Sequence, residues 1–591
     1  MAALLEAETG TAPQQSPQSD AARYPALGWI CLWIAIAAAA FHAAYAFPRA
    51  GFLTVLYFFA LLRLARAETW RKAFYPGLAV GLLIAVGRLA FLWRLFSGGA
   101  GALWLVYAVW IGLFVALARL CLRRTGPYWG SLLIPFVWCG LEYFRSELYY
   151  LRFSWLNPAY AFADAPCLVP LQYAGMYGIG FLLAGVAAAA AAWWGEQRLE
   201  GLRWFRPNRV AKPEGRRPKT ERRPKSEIRD NQPAILALDT PAGQDCQATA
   251  VAAAAVRGQR SGWRLRPSGF GLFSAFGLRA SDFTRFALNR WKGRGPSLVC
   301  ALGILLLGAG GIWLAGWLSA EQAQPHAAAT LHIAGIQMEF PTEGEVLIRL
   351  NDLIRKHPEA DVMVLSECTF DGPVPGKVSE WCRKNRRYLI AGGKAPASGS
   401  NFYNTAFVIG PDGKIIFRQV KAVPIQFFKD GLAATEQRLW ESPWGKIGIC
   451  ICYDLSYTRV TDQLIRLGAQ ALIVPTMDMM DWGEAQHALH ARVAPVRAAE
   501  YGIPIFRLAS SGISQFADRT GRVLAIAPCP GDGATLAAQL AIAEAGRLPL
   551  DRWLGPFAAG LTGILAVVFL AQTPRRSARR VGLAQAEPKS F

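Results

Sequence analysis

Long apolar runs fill the first third of the chain and return near its end. A membrane-spanning helix needs about 20 predominantly apolar residues, and eight runs approach that length. Arg88 interrupts the third run and Glu142 the fifth. The pattern predicts a polytopic α-helical membrane domain of about eight spans. The predicted spans are 26–46, 50–66, 74–96, 101–121, 128–147, 168–194, 297–318 and 552–572.

Residues 319–551 follow a different pattern, in which strand-length runs rich in Val and Ile alternate with helical stretches. This alternation predicts an α/β domain whose central sheet is covered by helices. The runs predicted as strands are 331–337, 361–367, 387–393, 404–410, 446–452, 470–476 and 503–509. The stretches predicted as helices include 343–356, 458–467 and 485–500.

The composition agrees with membrane spans joined to a globular domain. The chain is 53% hydrophobic and only 18% charged, whereas soluble domains carry about 25% charged residues. These values exclude a disordered chain, a coiled coil and a purely soluble enzyme. The net charge is +22, but no nucleic-acid-reading motif accompanies the basic residues, so no nucleic-acid partner is expected.

Basic residues collect on one side of the predicted membrane domain. Residues 195–296 alone carry 21 Lys and Arg against 9 Asp and Glu. If the N-terminus lies inside, this segment, the loops 67–73 and 122–127 and the tail 573–591 all face the cytoplasm, as the positive-inside rule requires. Residues 319–551 then lie on the opposite side.

The predicted organisation begins with a polar tail that lacks the basic region of a secretory signal, so the first span is expected to remain uncleaved. The basic insertion begins with a polar, Pro-bearing part that is predicted to be disordered. Its aromatic second part is either an amphipathic segment on the inner leaflet or a plain tether. The predicted segments are the tail 1–25, the six-span membrane domain 26–194, the basic cytoplasmic insertion 195–296, the seventh span 297–318, the globular domain 319–551, the eighth span 552–572 and the basic cytoplasmic tail 573–591.

Metal ions and cofactors are not expected. The eleven Cys are scattered without a repeated CxxC, and the six His form no HExxH, so a disulfide framework and a structural zinc site are both disfavoured. Neither a Walker loop nor a dinucleotide fingerprint occurs.

Three residues at predicted strand ends are candidates for chemistry. Cys452 ends a hydrophobic strand before a polar turn, a position that exposes a nucleophile beside a backbone N–H group. The alternative is a buried structural Cys, and Cys450 on the same strand face is a rival. Glu367 follows another strand and is either a base in an apolar site or a solvated strand-end residue. Lys421 also follows a predicted strand and is likewise either a functional group or a solvated strand-end residue. In the functional case, a Lys beside a Cys favours the thiolate and stabilises an oxyanion.

The order Glu367, Lys421, Cys452 resembles the Glu-Lys-Cys triad of the nitrilase, or carbon–nitrogen hydrolase, superfamily. The segments 451–483 and 486–523 are similar to the superfamily's nucleophile segment and to the helix and strand that follow it. This resemblance covers about residues 330–545 and implies a nitrilase-like αββα sandwich.

A nitrilase-like domain between the last two of eight spans resembles the apolipoprotein N-acyltransferase family of the bacterial inner membrane. The segments 136–162 and 175–189 are similar to the membrane half of that family. The resemblance implies a catalytic domain on the periplasmic side. It also implies transfer of an acyl chain from a phospholipid, typically phosphatidylethanolamine, through a Cys thioester to the N-terminal amine of a diacylated apolipoprotein.

The same resemblance implies roles for individual residues. Cys452 would attack the ester, Glu367 would take the thiol proton, and Lys421 with the Tyr453 backbone N–H group would face the oxyanion. Asp454 stands where the family commonly has Glu.

Three residues of the membrane half are further candidates. Trp155 and Arg145 are expected to line the lipid-side entrance, and Glu142 is an intramembrane ionisable residue. The alternatives are interfacial anchoring for Trp155 and a structural ion pair between Arg145 and Glu142.

The sequence departs from the family around Pro424. Gln419 stands where members typically have Lys, with Lys421 two residues later and Lys429 as a second possibility. The Glu that follows this Pro in the family is replaced by the sequence PIQFF. These departures leave open a membrane-anchored amidase that uses water as acceptor, and a non-catalytic scaffold is a third hypothesis.

Overall fold

The structure is a computed structural model that describes residues 27–204 and 329–572 of the 591-residue chain. The predicted tail 1–25, most of the basic insertion 195–296, the predicted seventh span 297–318 and the tail 573–591 lie outside the described residues.

The first described part is helical, and one further helix follows the α/β domain. Glycines allow its helices to approach closely: a Cβ on Gly77 of the third helix would lie 2.8 Å from Val115 Cγ2 of the fifth. The helices here are α1 (Leu27–Ala46), α2 (Leu53–Leu64), α3 (Trp70–Arg88), α4 (Phe91–Phe96), α5 (Ala100–Thr125), α6 (Pro127–Tyr143) and α7 (Leu171–Trp204, interrupted at Gly175).

Among the described helices, four are long and apolar enough to cross a membrane. The predicted spans 50–66, 74–96 and 128–147 coincide with helices that are shorter or less apolar, so the described residues bear out a smaller number of spans than predicted. The four qualifying helices are Leu27–Ala46, Phe91–Thr125, Leu171–Trp194 and Asp551–Ala571.

The predicted span 74–96 is wrong as a single element. Helix α3 ends at Arg88, and the short helix α4 follows as a separate element. The indole Nε1 of Trp104 donates to the Leu89 carbonyl at 2.9 Å, which satisfies a backbone acceptor that a continuous helix would have used. The break places α4 beside the cavity described below.

The α/β domain contains two six-stranded sheets, and all seven predicted strands occur in it. The sheet orders are β12-β1-β2-β3-β4-β5 and β11-β10-β9-β8-β7-β6. The strands are β1 (Ala329–Ile336), β2 (Val362–Val364), β3 (Tyr388–Pro396), β4 (Phe402–Ile409), β5 (Ile415–Val420), β6 (Leu439–Ser442), β7 (Gly445–Ile449), β8 (Ala471–Thr476), β9 (Ile505–Ala509), β10 (Gln515–Ala517), β11 (Val523–Ile526) and β12 (Thr535–Ile542).

The helices of this domain cover the outer faces of the sheets, while the inner faces pack on each other. A Cβ on Gly335 of β1 would lie 2.7 Å from Leu508 Cδ1 of β9, so the two sheets meet without an intervening layer. The helices are α8 (Glu343–Lys356), α9 (Gly376–Asn385), α10 (Thr458–Arg466), α11 (Glu484–Ala491) and α12 (Val493–Tyr501), and the apolar helix after the domain is α13 (Asp551–Ala571).

The stretch 485–500, predicted as one helix, is divided into α11 and α12. Pro495 has no N–H group to donate to the Ala491 carbonyl four residues earlier. That carbonyl instead accepts a hydrogen bond from the Gln515 side chain. The division matters for the site because it sets the direction of α11.

Buried acidic side chains fix the helical region to the α/β domain. Gly175 has φ 72°, which exposes the backbone N–H groups of the next turn of α7. The Met176 N–H group donates to Glu500 at 2.9 Å, and the Tyr177 N–H group donates to Asp551 at 2.9 Å. Arg552 pairs with both Glu500 and Asp551. The junction is therefore held by charge-assisted hydrogen bonds between buried groups.

Candidate active site

Cys452 lies in a tight turn just beyond β7. Its φ of 52° is in the left-handed region, which non-glycine residues adopt rarely and often at functional sites. The thiol is buried, and its Sγ lies 3.6 Å from the Met477 carbonyl oxygen, to which it donates. Cys450, the rival nucleophile, lies in the core, where its backbone N–H group continues the pairing with β8.

Glu367 lies beside this turn and accepts three hydrogen bonds. Its Oε1 accepts from Lys421 Nζ at 2.7 Å and from Asn404 Nδ2 at 2.7 Å. Its Oε2 accepts from the Met477 N–H group at 2.8 Å. Because Met477 also accepts from the Cys452 thiol, one peptide segment holds both the carboxylate and the nucleophile.

Lys421 is fully buried between two carboxylates. Its Nζ donates to Glu367 and, at 2.6 Å, to Asp430. Burial by itself would lower the pKa of Lys421, but Glu367 and Asp430 raise it well above its usual value, so the group stays an ammonium. Lys429 is exposed, and Gln419 bonds backbone groups of neighbouring residues. Of these three residues, Lys421 is the one in contact with Glu367.

The thiol of Cys452 is held in its neutral form. Burial raises the pKa of Cys452 well above its usual value, and the Glu367 carboxylate raises it further, whereas the Lys421 ammonium lowers it. A thiolate therefore needs a proton acceptor at the moment of attack. The Glu367 carboxylate, which lies beside the Cys452 turn, can accept the thiol proton.

Asp454 serves the backbone. Its carboxylate accepts from the N–H groups of Ala422 at 3.1 Å and Val423 at 2.7 Å, which ties the segment after Lys421 to the nucleophile turn. Burial raises the pKa of Asp454 to about 6. The phenol of Tyr453 donates to the Arg152 carbonyl at 3.3 Å.

An apolar cavity of about 140 Å³ reaches Cys452. It is lined by both the helical region and the α/β domain, and most of the lining groups are aromatic or aliphatic. Lining residues include Phe91, Leu103, Trp110, Phe428, Cys452 and Tyr453. The cavity therefore places an apolar space next to Cys452.

Two of the three candidates from the membrane half line this cavity. Trp155 donates through Nε1 to Ser456 Oγ at 2.9 Å and packs edge-on against Tyr453. Arg145 also lines the cavity, and it forms a buried ion pair of 2.6 Å with Glu142. Glu142 thus has the partner that the alternative interpretation named.

Both halves of the chain match models of known protein families. Residues 26–189 match the model of the apolipoprotein N-acyltransferase N-terminal domain, and residues 308–549 match the carbon-nitrogen hydrolase model. The chain belongs to the apolipoprotein N-acyltransferase family. Its second half is that of a carbon–nitrogen hydrolase superfamily enzyme, and the family together with the apolar helices indicates a membrane protein. Membership implies lipid and lipoprotein substrates in general.

The curated relatives of this N-acyltransferase family member match its hydrolase half. Omega-amidase NIT2 of Danio rerio is 28% identical over 192 residues, which cover 28% of this chain and 68% of the relative. The deaminated glutathione amidase of Dictyostelium discoideum is 29% identical over 140 residues, covering 21% and 48%.

Solved structures of carbon–nitrogen hydrolases also match. The carbon-nitrogen hydrolase of Helicobacter pylori G27 is 17% identical and covers 44% of this chain and 97% of its own, with a TM-score of 0.32. Nit3 of Saccharomyces cerevisiae is 18% identical, with coverages of 44% and 99% and a TM-score of 0.32.

Sequence reasoning missed two polar residues of the site, Asn404 and Asp430. Asn404 Nδ2 donates to both Glu367 and Asp430, at 2.7 Å each, and Asp430 accepts from Lys421. The segment PIQFF lacks the Glu that the resemblance led us to expect after Pro424. Asp430, a few residues farther along the chain, supplies a carboxylate to Lys421. The sequence position of Asp430, in a loop directly after Lys429, gave little indication of a role in the site. Only the fold brings Asp430 back to Lys421.

Asp430→Ala is expected to slow formation of the acyl-enzyme and to destabilise the protein. The change leaves Lys421 and Asn404 without one of their acceptors, and an unsatisfied buried donor costs about 1–3 kcal/mol. Thermal unfolding in detergent measures the stability loss, and a single-turnover acylation assay measures the rate. Asp412→Ala, at an exposed turn, is the matched control, and equal behaviour of the two variants would remove Asp430 from the site.

Proposed function

We propose that this protein transfers a fatty acyl chain from a phospholipid, through a thioester on Cys452, to the N-terminal amine of a diacylglyceryl-cysteine lipoprotein. The observation that carries the proposal is the meeting of Cys452, Glu367 and Lys421 at an apolar cavity lined by both halves of the chain. A phospholipid such as phosphatidylethanolamine supplies the apolar chain that such a cavity suits.

In the first half-reaction, Glu367 accepts the Cys452 thiol proton as the sulfur attacks the ester carbonyl of the donor. The C–S bond forms, and the Lys421 ammonium with the Tyr453 backbone N–H group stabilises the oxyanion. The C–O bond then breaks. The departing lysophospholipid oxygen takes the proton from Glu367, which regenerates the carboxylate.

In the second half-reaction, the acceptor amine attacks the thioester carbonyl. The C–N bond forms, Glu367 accepts a proton from the amine, and the C–S bond breaks. Glu367 returns that proton to the departing sulfur, so Cys452 ends as a thiol. The products are the triacylated lipoprotein and the unmodified enzyme.

A membrane-anchored amidase is the second candidate, favoured by the curated relatives named as amidases. It would use the same three residues, with water in place of the amine. The apolar lining of the cavity favours a fatty chain over a small polar amide, because burying unpaired polar groups costs free energy.

We further propose that the protein lies in the bacterial inner membrane with its catalytic domain on the periplasmic side. The support is the distribution of basic residues, which by the positive-inside rule puts residues 319–551 opposite the basic loops.

Mass spectrometry of the full-length protein tests the function. Incubation with phosphatidylethanolamine is expected to add one acyl chain to the peptide that carries Cys452. Addition of a diacylated peptide with a free α-amine is expected to remove the label and to yield an N-acylated peptide. Label that is lost only to water would favour the amidase, and absence of any label on that peptide would overturn the proposal.

A further inference from the structure

His490 lies on the wall of the cavity and has not yet been given a role. It is a buried residue of α11, and it lines the same cavity as Cys452. Its ring stacks on Trp155, with ring centroids 4.6 Å apart and an interplanar angle of 20°. The stack fixes the plane of the imidazole, so its two nitrogens point in set directions.

One nitrogen of this imidazole is occupied by an acidic partner. Nδ1 lies 2.8 Å from Asp478 Oδ1. The Asp478 carboxylate also accepts from Gln486 at 3.1 Å and, through Oδ2, from Arg507 at 2.5 Å. Asp478 Oδ1, at the shorter distance, is the acceptor for an Nδ1–H group, whereas the Arg507 guanidinium 3.0 Å away can only donate. We assign the Nδ1–H tautomer, the arrangement in which a buried Asp orients a catalytic His.

The opposite nitrogen, Nε2, carries the lone pair of that tautomer. Within the described chain no hydrogen bond is made by Nε2, and the ring is a cavity-lining group. Burial and the nearby Arg507 lower the pKa of His490, although Asp478 acts in the opposite sense. A neutral imidazole with a free lone pair beside a reactive thioester is a proton acceptor.

Besides Asp478, two cations act on the imidazole of His490. Arg507 lies 3.0 Å from Nδ1, and Lys421 acts on His490 at longer range. Arg145 and Arg152 line other parts of the cavity. Arg507 and Lys421 favour the neutral ring, and the Asp478 carboxylate opposes them.

We propose that His490 is a second proton acceptor of the site, which takes a proton from the α-ammonium group of the acceptor before that amine attacks the thioester. This inference rests on the proposed acyl transfer. An α-amino group has a pKa of about 7.7–8.0, so the acceptor arrives largely as an ammonium that has no lone pair for attack.

The proton transfer to His490 precedes formation of the C–N bond. The N–H bond of the ammonium breaks and an N–H bond forms at His490 Nε2, which yields a neutral amine and an imidazolium. The amine then attacks the thioester, and its second proton passes to Glu367 and on to the Cys452 sulfur. The imidazolium releases its proton to water once the product has left.

Two nucleophiles separate this role from a structural one. The acyl-enzyme is formed with phosphatidylethanolamine, and its decay is then followed with a diacylated peptide amine or with hydroxylamine, which is uncharged at neutral pH. In His490→Gln, decay with the peptide at pH 7 is expected to fall about tenfold, because only about a tenth of the α-amine is neutral at that pH without a proton acceptor. Decay with hydroxylamine is expected to fall less than about threefold.

The pH profile provides a second readout. In His490→Gln, decay with the peptide is expected to rise about tenfold per pH unit until the α-amine itself titrates, whereas the wild type stays nearly flat above neutral pH. His490→Phe, which keeps the stack on Trp155, is expected to behave like His490→Gln, so a folding defect in one variant leaves the other informative.

His487→Gln is the matched control on the same helix, since His487 Nε2 lies 2.9 Å from the Met479 carbonyl oxygen and outside the cavity lining. In this variant, the decay of the acyl-enzyme with the peptide and the decay with hydroxylamine are expected to stay in the same ratio as in the wild type. Equal slowing of both nucleophiles in the His490 variants, or an unchanged pH profile, would overturn the inference. Failure of the wild type to form any acyl-enzyme would instead overturn the proposed function.

Discussion

Cys452→Ala is expected to remove acyl-enzyme formation completely, with a rate at least about 10⁴-fold below that of the wild type. The loss follows from the chemistry, because Cys452 supplies the thiol of the cavity lining. The measurement is the acyl label on the tryptic or chymotryptic peptide that contains position 452, with phosphatidylethanolamine as donor.

Cys450→Ala is the matched control for this experiment. Both cysteines are buried, but the Cys450 backbone continues the pairing with β8 and Cys450 is not among the residues that line the cavity. Its loss is expected to cost about 1 kcal/mol of stability through the small cavity left behind and to preserve the label. A label that persists in Cys452→Ala and disappears in Cys450→Ala would reverse the assignment of the nucleophile.

Glu367→Gln is expected to reduce the rate of acylation by about 10²–10⁴-fold. The amide is close to the carboxylate in size and can still accept from Lys421 and Asn404 through its oxygen, but it cannot take the thiol proton. Since burial and the surrounding groups keep the Cys452 thiol protonated, loss of the acceptor leaves the sulfur a weak nucleophile. Single-turnover acylation by a phospholipid is the measurement.

The control for this variant is Glu380→Gln, which changes an exposed Glu on α9. It is expected to acylate at the wild-type rate. Thermal unfolding in detergent separates a folding loss from a chemical one, because Glu367→Gln also removes one of the two charges that face Lys421. An acylation rate within threefold of the wild type, in a folded variant, would show that Glu367 is not the base.

The regular elements of the α/β domain could be predicted because each carries a local signal. Helix α8 begins at a capping box, in which Thr342 and Glu345 exchange hydrogen bonds, and its bounds agree with the prediction. The strand β8 is almost continuously apolar and fully buried, as expected for a strand with parallel neighbours on both sides. Edge strands such as β6 and β11 were missed because they are short and their apolar pattern is weak.

The membrane half was harder to divide into elements from sequence. Apolar residues continue across the turn between α3 and α4, so hydropathy alone does not show that the helix stops at Arg88. At this stop the Leu89 carbonyl accepts from the Leu92 N–H group and also from the Trp104 indole, which is a tertiary contact. A window average cannot contain such a contact.

The sequence by itself determined the two-part organisation and the family resemblance, and it named Glu367, Lys421 and Cys452 as candidates, because strand periodicity and motif order are local properties of the chain. Only the tertiary structure decided that Lys421 faces Glu367 while Lys429 is exposed, and that Asp430 and Asn404 complete the charge network. Only the fold brings His490 to the cavity that reaches Cys452. The physical reason is that burial, ion pairing and cavity shape arise between segments that are distant along the chain, and a linear pattern does not encode which of them meet.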